Sequence, residues 1–210
     1  MQNNQEQIIG QVREYMFYKA PVKLDLSELA DELQISLNEM VEAFPSPDIL
    51  IEKMLRFEKR SFEHALDQYD FASQNAIDNF IVVGQEVYNR YKDVHPCIFA
   101  RLQSYSPLFS EERFVDLLQQ IFDLFITNIN SGVREGVFAG EIDFKLPINE
   151  FIKRIVAQEN EMICKNQRFI TFGILFNNYF EEFLQNSLTN EAWRYFITRK
   201  RFVESLYFGR

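Results

Sequence analysis

Residues that carry out most enzyme chemistry are sparse in this chain of 210 residues, which has two histidines and two cysteines. His95 and Cys97 are close enough in sequence to suggest a thiol–imidazole dyad, in which a base activates a cysteine nucleophile. Two residues apart on a short helix, however, their side chains point in different directions. The sequence contains no Glu-x-x-His, Gly-x-Ser-x-Gly, His-Glu-x-x-His or phosphate-binding glycine loop. We therefore expect a protein that is not an enzyme and that holds no metal or other cofactor.

The cysteines and the apolar runs indicate the compartment. Cys97 and Cys164 are far apart and form no Cys-x-x-Cys motif, so free thiols in a reducing compartment are favoured over a disulfide. The first fifteen residues lack the charged and apolar blocks of a signal peptide. The longest apolar run, residues 169–176, is much shorter than the roughly 20 residues that span a bilayer. We expect a cytoplasmic, soluble protein with no membrane partner.

Apolar residues recur at helical spacing along most of the chain. The pattern predicts helices over residues 4–19, from Pro47, after Ser73, over residues 97–103, after Ser110, over residues 167–185 and from Thr189 to about residue 208. Ser46, Ser110 and Thr189 are the expected N-caps of the helices that they precede. The segment 132–147 holds three of the seven glycines and interrupts the pattern. Strand-like alternation is absent, so the predicted fold class is all-α.

Two capping boxes stand close together near the N-terminus. Asp25 with Glu28, and Ser36 with Glu39, have the spacing of an N-cap and its partner three residues later. Each predicted helix has an apolar face, composed of Leu26, Leu29, Ala30 and Leu33 in the first and of Ile35, Met40, Val41 and Phe44 in the second. Two short helices joined by a tight turn are typical of a helix-turn-helix, although capping boxes also begin ordinary bundle helices.

The charge of this segment is unusual for a protein that binds DNA. The chain has a net charge of −9, and residues 1–47 carry three bases against eight acids. No lysine or arginine occurs over residues 24–52. Because lysine and arginine contacts to phosphate dominate affinity for DNA, the capping pattern favours DNA binding while the charge opposes it.

The chain resembles the TetR family of bacterial transcriptional regulators in two ordered motifs. The first is the helix-turn-helix followed by the next helix start, represented here by LSELADELQIS, NEMVEAF and SPDILIEKML. The second is the connector that leads into the dimerisation helices, represented by NSGVREGVFAGEIDFKLPINEFIKRI. The resemblance implies a three-helix DNA-binding-type domain over residues 1–46 and a larger helical domain for ligand binding and dimerisation over residues 47–210. Gln34 occupies the turn position that is usually glycine in the family.

The resemblance also implies partners and site residues. A DNA operator would be contacted by Lys23, Ser27, Ser36, Leu37, Asn38, Glu39 and Lys53. Asn38 and Glu39 have groups that read base edges, but they are equally typical of solvated residues in the first turn of a helix. A small hydrophobic or aromatic ligand would be enclosed by Phe80, Tyr88, Tyr91, His95, Phe99, Arg101, Phe122 and Phe125. The same aromatic residues at helical spacing are also typical of an ordinary core.

The C-terminal helices predict self-association. The segment from Phe169 to Phe183 is apolar around most of its circumference, and such a helix needs a second surface to cover it. We expect a two-fold homodimer with Phe172, Phe176, Phe180, Trp193 and Phe196 at its interface. The predicted function is that of a ligand-responsive transcriptional regulator that binds DNA as this homodimer. The alternative is a relative that has lost DNA binding and serves as a small-molecule-binding or protein-interaction module.

Overall fold

The protein is all-helical over the residues that its computed structural model describes, which are 2–95, 97–106, 123, 126–139 and 172–208. The helices are α1 (Gln2–Lys19), α2 (Leu26–Leu33), α3 (Leu37–Ala43), α4 (Pro47–Leu66), α5 (Ala76–Tyr91), α6 (Ile98–Tyr105), α7 (Phe172–Ser187) and α8 (Asn190–Phe208). A further helical segment covers residues 126–134. Within these ranges the extended structure is limited to one antiparallel bridge, between Phe138 and Leu188. The predicted all-α class is confirmed.

Several helices begin where the capping residues predict. The Ser46 hydroxyl accepts a hydrogen bond from the Ile49 amide at 3.3 Å, directly before α4. The Thr189 hydroxyl accepts one from the Ala192 amide at 3.2 Å and begins α8. Each side chain satisfies an amide that has no partner inside its helix. The helix predicted from Ser110 and residues 140–147 of the segment 132–147 lie outside the described residues.

The described residues group into two compact units. The first unit holds residues 2–64, 93–95, 97–106 and 172, and the second holds residues 65–92, 123, 126–139 and 173–208. α4 begins in the first unit and ends in the second. Its residues 47–64 therefore group with α1, α2 and α3, and the predicted domain boundary after residue 46 stays a prediction.

The first unit is built around α1 and α4. Val12 and Met16 of α1 and Leu50 and Met54 of α4 are fully buried. The carboxylate of Glu58, which is also fully buried, accepts hydrogen bonds from Arg13 Nε at 2.8 Å and Arg13 Nη2 at 3.2 Å. This paired geometry lets a carboxylate lie in the core because both of its oxygens are satisfied by an opposite charge.

The second unit is built around α5. The ring of Phe80 lies 6.2 Å from the ring of Phe138 in an edge-on orientation and 6.2 Å from the ring of Phe180 on α7. On another part of α5, Asp78 accepts a hydrogen bond from Arg199 Nε of α8 at 3.2 Å. Aromatic edges and one ion pair thus hold α7 and α8 to α5.

The structure bears on two expectations, the absence of a membrane-spanning helix and the state of the cysteines. Among the described residues, no helix combines the length and the apolar character that crossing a bilayer requires. Cys97 is buried and disulfide-bonded, so the expectation of free thiols was wrong for this residue. Cys164 lies outside the described residues.

Candidate nucleic-acid interface

The predicted recognition segment begins with a capped helix, α2. Asp25 has extended backbone angles, and its carboxylate accepts hydrogen bonds from the amides of Ser27 at 2.7 Å and Glu28 at 3.2 Å. Leu29 and Ala30 are buried. The local sequence therefore determines both where α2 starts and which side faces inward.

The turn after α2 is made without glycine. Gln34 has a left-handed backbone, with φ 56° and ψ 38°. Its amide bonds to the Asp31 carbonyl at 3.2 Å, and the Ile35 amide bonds to the Ala30 carbonyl at 2.9 Å. These two bonds form the Schellman arrangement, which commonly has glycine at the left-handed position. The turn that the family resemblance predicts thus forms with a strained glutamine.

The helix after the turn, α3, is fixed by a complete capping box. The Ser36 hydroxyl accepts from the Glu39 amide at 3.2 Å, and a Glu39 carboxylate oxygen accepts from the Ser36 amide at 3.3 Å and from its hydroxyl at 2.7 Å. The polar groups of these two residues are therefore bonded to each other. Both residues were predicted DNA contacts, and each would have to exchange this partner to contact DNA.

The inward face of α3 differs from the predicted one at Val41. Met40, Ala43 and Phe44 are buried, but Val41 is 45% exposed. The residues at 40 and 44 share one face of the helix, and residue 41 lies about 100° further round. Leu37, four residues before Val41, is 46% exposed. The outer face of α3 is consequently apolar at two positions one helical turn apart.

The remaining predicted DNA contacts are divided between exposed and occupied side chains. Lys23, Ser27 and Asn38 are exposed. Lys53 is half-buried, and its ammonium donates to the carbonyl of Ala43 at 2.9 Å. Its cation therefore stabilises the C-terminal end of α3, where the helix dipole is negative. Lys53 is less available to a DNA phosphate than its position in the sequence suggested.

The acids of α2 affect the titration of a neighbouring residue on α1. Burial raises the pKa of the Tyr15 phenol, and the carboxylates of Glu32 and Glu28 raise it further. These carboxylates oppose the formation of a phenolate because they repel its negative charge. The local field around α2 is thus negative, as the count of acids predicts.

The predicted ligand-pocket residues fall into both units. Phe80 and Tyr91 are buried in the second unit and Tyr88 is half-buried there, whereas His95 and Arg101 are half-buried in the first. For Phe99 the structure describes the backbone only, and Phe122 and Phe125 lie outside the described residues. Enclosure of one ligand by this whole set stays a prediction.

His95 is held by its neighbours in the first unit. Its Nδ1 accepts from the Cys97 amide at 3.2 Å, and its own amide donates to the Phe17 carbonyl at 2.7 Å. Burial lowers the pKa of the imidazole, and the nearby Arg101 guanidinium lowers it further. Because the Cys97 sulfur is in a disulfide, this pair does not present a thiolate to a substrate. Over the part of the chain that is described, no three acidic, histidine or cysteine side chains gather as metal ligands.

Two of the predicted dimer-interface residues lie inside their own protomer. Phe180 and Phe196 are 6% and 1% exposed, because they pack within the second unit and not on its surface. Trp193 is half-buried and stacks on Phe196 with ring centroids 5.4 Å apart. The side chains of Phe172 and Phe176 lie outside what the structure describes. Self-association stays a prediction, and Phe202 of α8, which is 50% exposed, is better placed for it.

A cleft in the first unit was not predicted from the sequence. It has a volume of about 420 Å³. We call it the cationic cleft, and it is lined by Gln5, Glu6, Ile9, Phe44, Lys53, Arg56 and Arg60. The spacing of its three cations along α4 places them on one helix face. That spacing was the available signal, but it gives no indication that a cleft lies beside it.

Comparisons with protein-family models, with curated proteins and with solved structures gave no match. The resemblance to the TetR family therefore rests on the motifs of the chain itself.

Proposed function

We propose that this protein is a ligand-responsive transcriptional regulator, similar to the TetR family, that binds DNA as a homodimer. The observation that carries the proposal is the geometry of residues 25–44. Two capped helices are joined by a three-residue connection, and the second helix keeps one side buried and the other exposed. This is the local arrangement that a helix-turn-helix uses to present its second helix to the major groove.

Contacts to DNA would come from few groups. Asn38, exposed in the first turn of α3, has the amide that pairs with an adenine edge. Lys19 and Lys23, both exposed, precede α2 and are the cations nearest to that helix in sequence. Backbone amides at the start of a helix also bind phosphate. An effector would act by changing the separation of the two α3 helices in the dimer, which must match half-sites one helical turn apart.

Fluorescence anisotropy tests the proposal with a duplex taken from upstream of the protein's own gene and with a scrambled duplex. Titrations from low to moderate salt give affinity and salt dependence. We expect Asn38→Ala to weaken binding to the upstream duplex by about tenfold, because a lost base contact is worth about 1–3 kcal/mol. Binding to the scrambled duplex should be unchanged.

Lys23→Gln provides the complementary variant. It should weaken binding to both duplexes equally and reduce the salt slope by about one, because it removes one phosphate contact. Lys59→Gln, which removes an exposed cation of α4, is the control and should leave both affinities unchanged. Absence of binding to either duplex at low salt would contradict the proposal.

The apolar outer face of α3 favours a second candidate function, a protein-interaction module. Leu37 and Val41 are both nearly half exposed and no cation occurs over residues 24–52, a composition closer to a helix-binding surface than to a DNA-binding one. Under this alternative, Leu37→Ser with Val41→Ser would abolish retention of a partner from cell extract, with folding unchanged by circular dichroism. If the protein is instead the proposed regulator, the unmutated protein binds the upstream duplex more tightly than the scrambled one.

A further inference from the structure

The cationic cleft has lysine and arginine side chains concentrated in an acidic protein. Lys53, Arg56 and Arg60 line it, together with a single acidic residue, Glu6, although the chain as a whole has a net charge of −9. The three cations lie at i, i+3 and i+7 on α4, so they follow one face over about 10 Å. Such a row attracts an anion with acidic groups at two positions.

The three cations differ in the interactions that they already make with other groups of the protein. Arg56 pairs with Glu52 at 2.6 Å, at an exposed site where screening by water weakens the pair. The Lys53 ammonium donates to a neutral carbonyl, that of Ala43. Arg60 makes no ion pair with any described residue and is exposed. Among the described residues, no carboxylate therefore forms an ion pair with Lys53 or Arg60.

The cleft also has walls that suit a small molecule. Ile9 and Phe44 contribute to its lining and are themselves buried. The volume falls in the range of small-molecule sites, which combine an apolar lining with a few polar groups. Arg13 and Glu58 hold α1 to α4 in the same unit, so the two helices that carry most of the lining are fixed to each other.

The cleft is connected to α3 by one shared atom. The carbonyl oxygen of Ala43, the last residue of α3, accepts from Lys53 Nζ at 2.9 Å and from Gln5 Nε2 at 3.2 Å. Both donors line the cleft. An anion bound beside Lys53 would compete with this carbonyl for the ammonium, because a charged acceptor is stronger than a neutral one.

We propose that the cationic cleft binds a small organic oxyanion with at least two acidic groups, and that this anion competes with the Ala43 carbonyl for Lys53. The site would let such a metabolite alter the C-terminal end of α3 directly. It is separate from the predicted aromatic pocket, and it does not depend on whether α3 contacts DNA.

Isothermal titration calorimetry on the full-length protein tests the site. The probes are sodium pyrophosphate and sodium citrate, which distinguish phosphate from carboxylate ligands, at an ionic strength held constant with sodium chloride. We expect saturable binding of one equivalent of at least one probe. Arg60→Gln and Lys53→Gln should each lower its affinity at least about tenfold, as expected for removal of one direct charged contact.

Lys59→Gln is the matched control, because Lys59 is an exposed cation of α4 outside the cleft. It should change the affinity less than about twofold, in keeping with the weak effect of exposed charges. Arg60 is exposed, so Arg60→Gln should keep the fold even if Lys53→Gln weakens α3. Amide chemical shifts of Ala43 and Phe44 should move on titration, since the hydrogen bond to the Ala43 carbonyl changes.

Three results would overturn the proposal. One is the absence of saturable heat with both probes. Another is an equal loss of affinity in Arg60→Gln and Lys59→Gln, which would mean a general response to charge. The third is displacement of the probe by a random DNA duplex at equal phosphate concentration, which would assign these cations to nucleic acid.

Discussion

In the first unit, α1 and α4 are joined by a buried pair of opposite charges. In the second unit, α5 contacts its neighbours mainly through aromatic rings, a glycine and two amides, and its ion pair between Asp78 and Arg199 is partly exposed. Arg13 and Glu58 are attracted at hydrogen-bonding distance. Gly84 instead leaves space that Phe180 occupies, since a Cβ at residue 84 would lie 2.7 Å from the Phe180 ring. The first unit should therefore be sensitive to lost charge and the second to added or lost volume.

The largest effect is expected from removing one member of the charge pair. Arg13→Ala removes both of the hydrogen bonds that Arg13 donates to the buried Glu58 carboxylate, and we expect a loss of about 3–5 kcal/mol in the free energy of unfolding. Urea unfolding followed by far-ultraviolet circular dichroism measures it. Replacing both residues with methionine should recover most of the loss, because an apolar pair of similar volume is often as stable as a buried ion pair. A loss below about 1 kcal/mol in Arg13→Ala would place this pair with exposed ion pairs.

The only tryptophan of the chain reports on the other unit. Trp193 lies on α8, so its fluorescence follows the second unit while circular dichroism follows all helices. In Arg13→Ala, we expect the circular dichroism transition to begin at lower urea than the fluorescence transition. Coincident transitions would mean that the two units unfold together.

A buried amide pair in the second unit gives the next largest effect. Asn79 Nδ2 donates to Asn128 Oδ1 at 3.1 Å and to the Phe71 carbonyl at 2.9 Å. Asn79 Oδ1 and Asn128 Nδ2 are buried without hydrogen-bond partners in the described part of the chain. Asn79→Leu should reduce stability by about 1–3 kcal/mol, because it removes the donor of the buried Asn128 Oδ1 and of the part-buried Phe71 carbonyl.

Asn128→Leu should have a smaller effect, since Asn79 keeps its bond to the Phe71 carbonyl and one unpaired donor is removed. In the double variant, the loss should be less than the sum of the two single losses by about 0.5–1 kcal/mol, as for other contacting pairs. Strict additivity would show that the two amides do not interact.

A steric comparison between the units involves one glycine from each. Gly84→Ala places a Cβ against Phe180, and overpacking of about 1–3 kcal/mol should exceed the helix-propensity gain of up to about 1 kcal/mol. Gly10 of α1 is the matched control, because its nearest neighbour would be Phe57 Cζ at 3.8 Å. Gly10→Ala should therefore raise the thermal midpoint while Gly84→Ala lowers it. Changes of the same sign would remove this distinction between the units.

The sequence predicts those features that depend on nearby residues. Asp25, Ser36, Ser46 and Thr189 cap the helices that they were expected to cap, because a cap acts on amides two or three residues away. Contacts between distant residues could not be predicted. Nothing local identifies Glu58 as the partner of Arg13, or Phe180 as the ring that fills the space at Gly84.

The same limit applies to the candidate site. The capping box of α3 was predicted, but the direct hydrogen bond from the Ser36 hydroxyl to the Glu39 carboxylate became clear only from the structure. Val41 was assigned to the wrong face because a single short helix offers too few apolar positions to determine its inward side. The cationic cleft depends on Gln5, Ile9 and Phe44 lying beside α4, and that placement is a tertiary property.

The smallest expected effect concerns the positive φ angles, which the two units place on different residue types. Among the described residues, the second unit has a positive φ at a glycine, Gly136, with φ 70°, whereas the first has positive φ at Ala20, with φ 40°, and at Gln34, with φ 56°. Left-handed backbone costs a residue with a Cβ about 1–2 kcal/mol, and glycine's greater freedom in the unfolded chain offsets part of the gain. We therefore expect Gln34→Gly to stabilise the protein by about 0.5–1 kcal/mol.

Gln11→Gly, the same change at an exposed position inside α1, should destabilise it by a similar amount. Thermal unfolding of both variants provides the measurement, and a Gln34→Gly protein no more stable than the parent would show that the freedom of glycine in the unfolded chain cancels the relief of strain. The gain would also separate stability from function at this turn, because the change removes no side chain among the predicted DNA contacts or the cationic cleft.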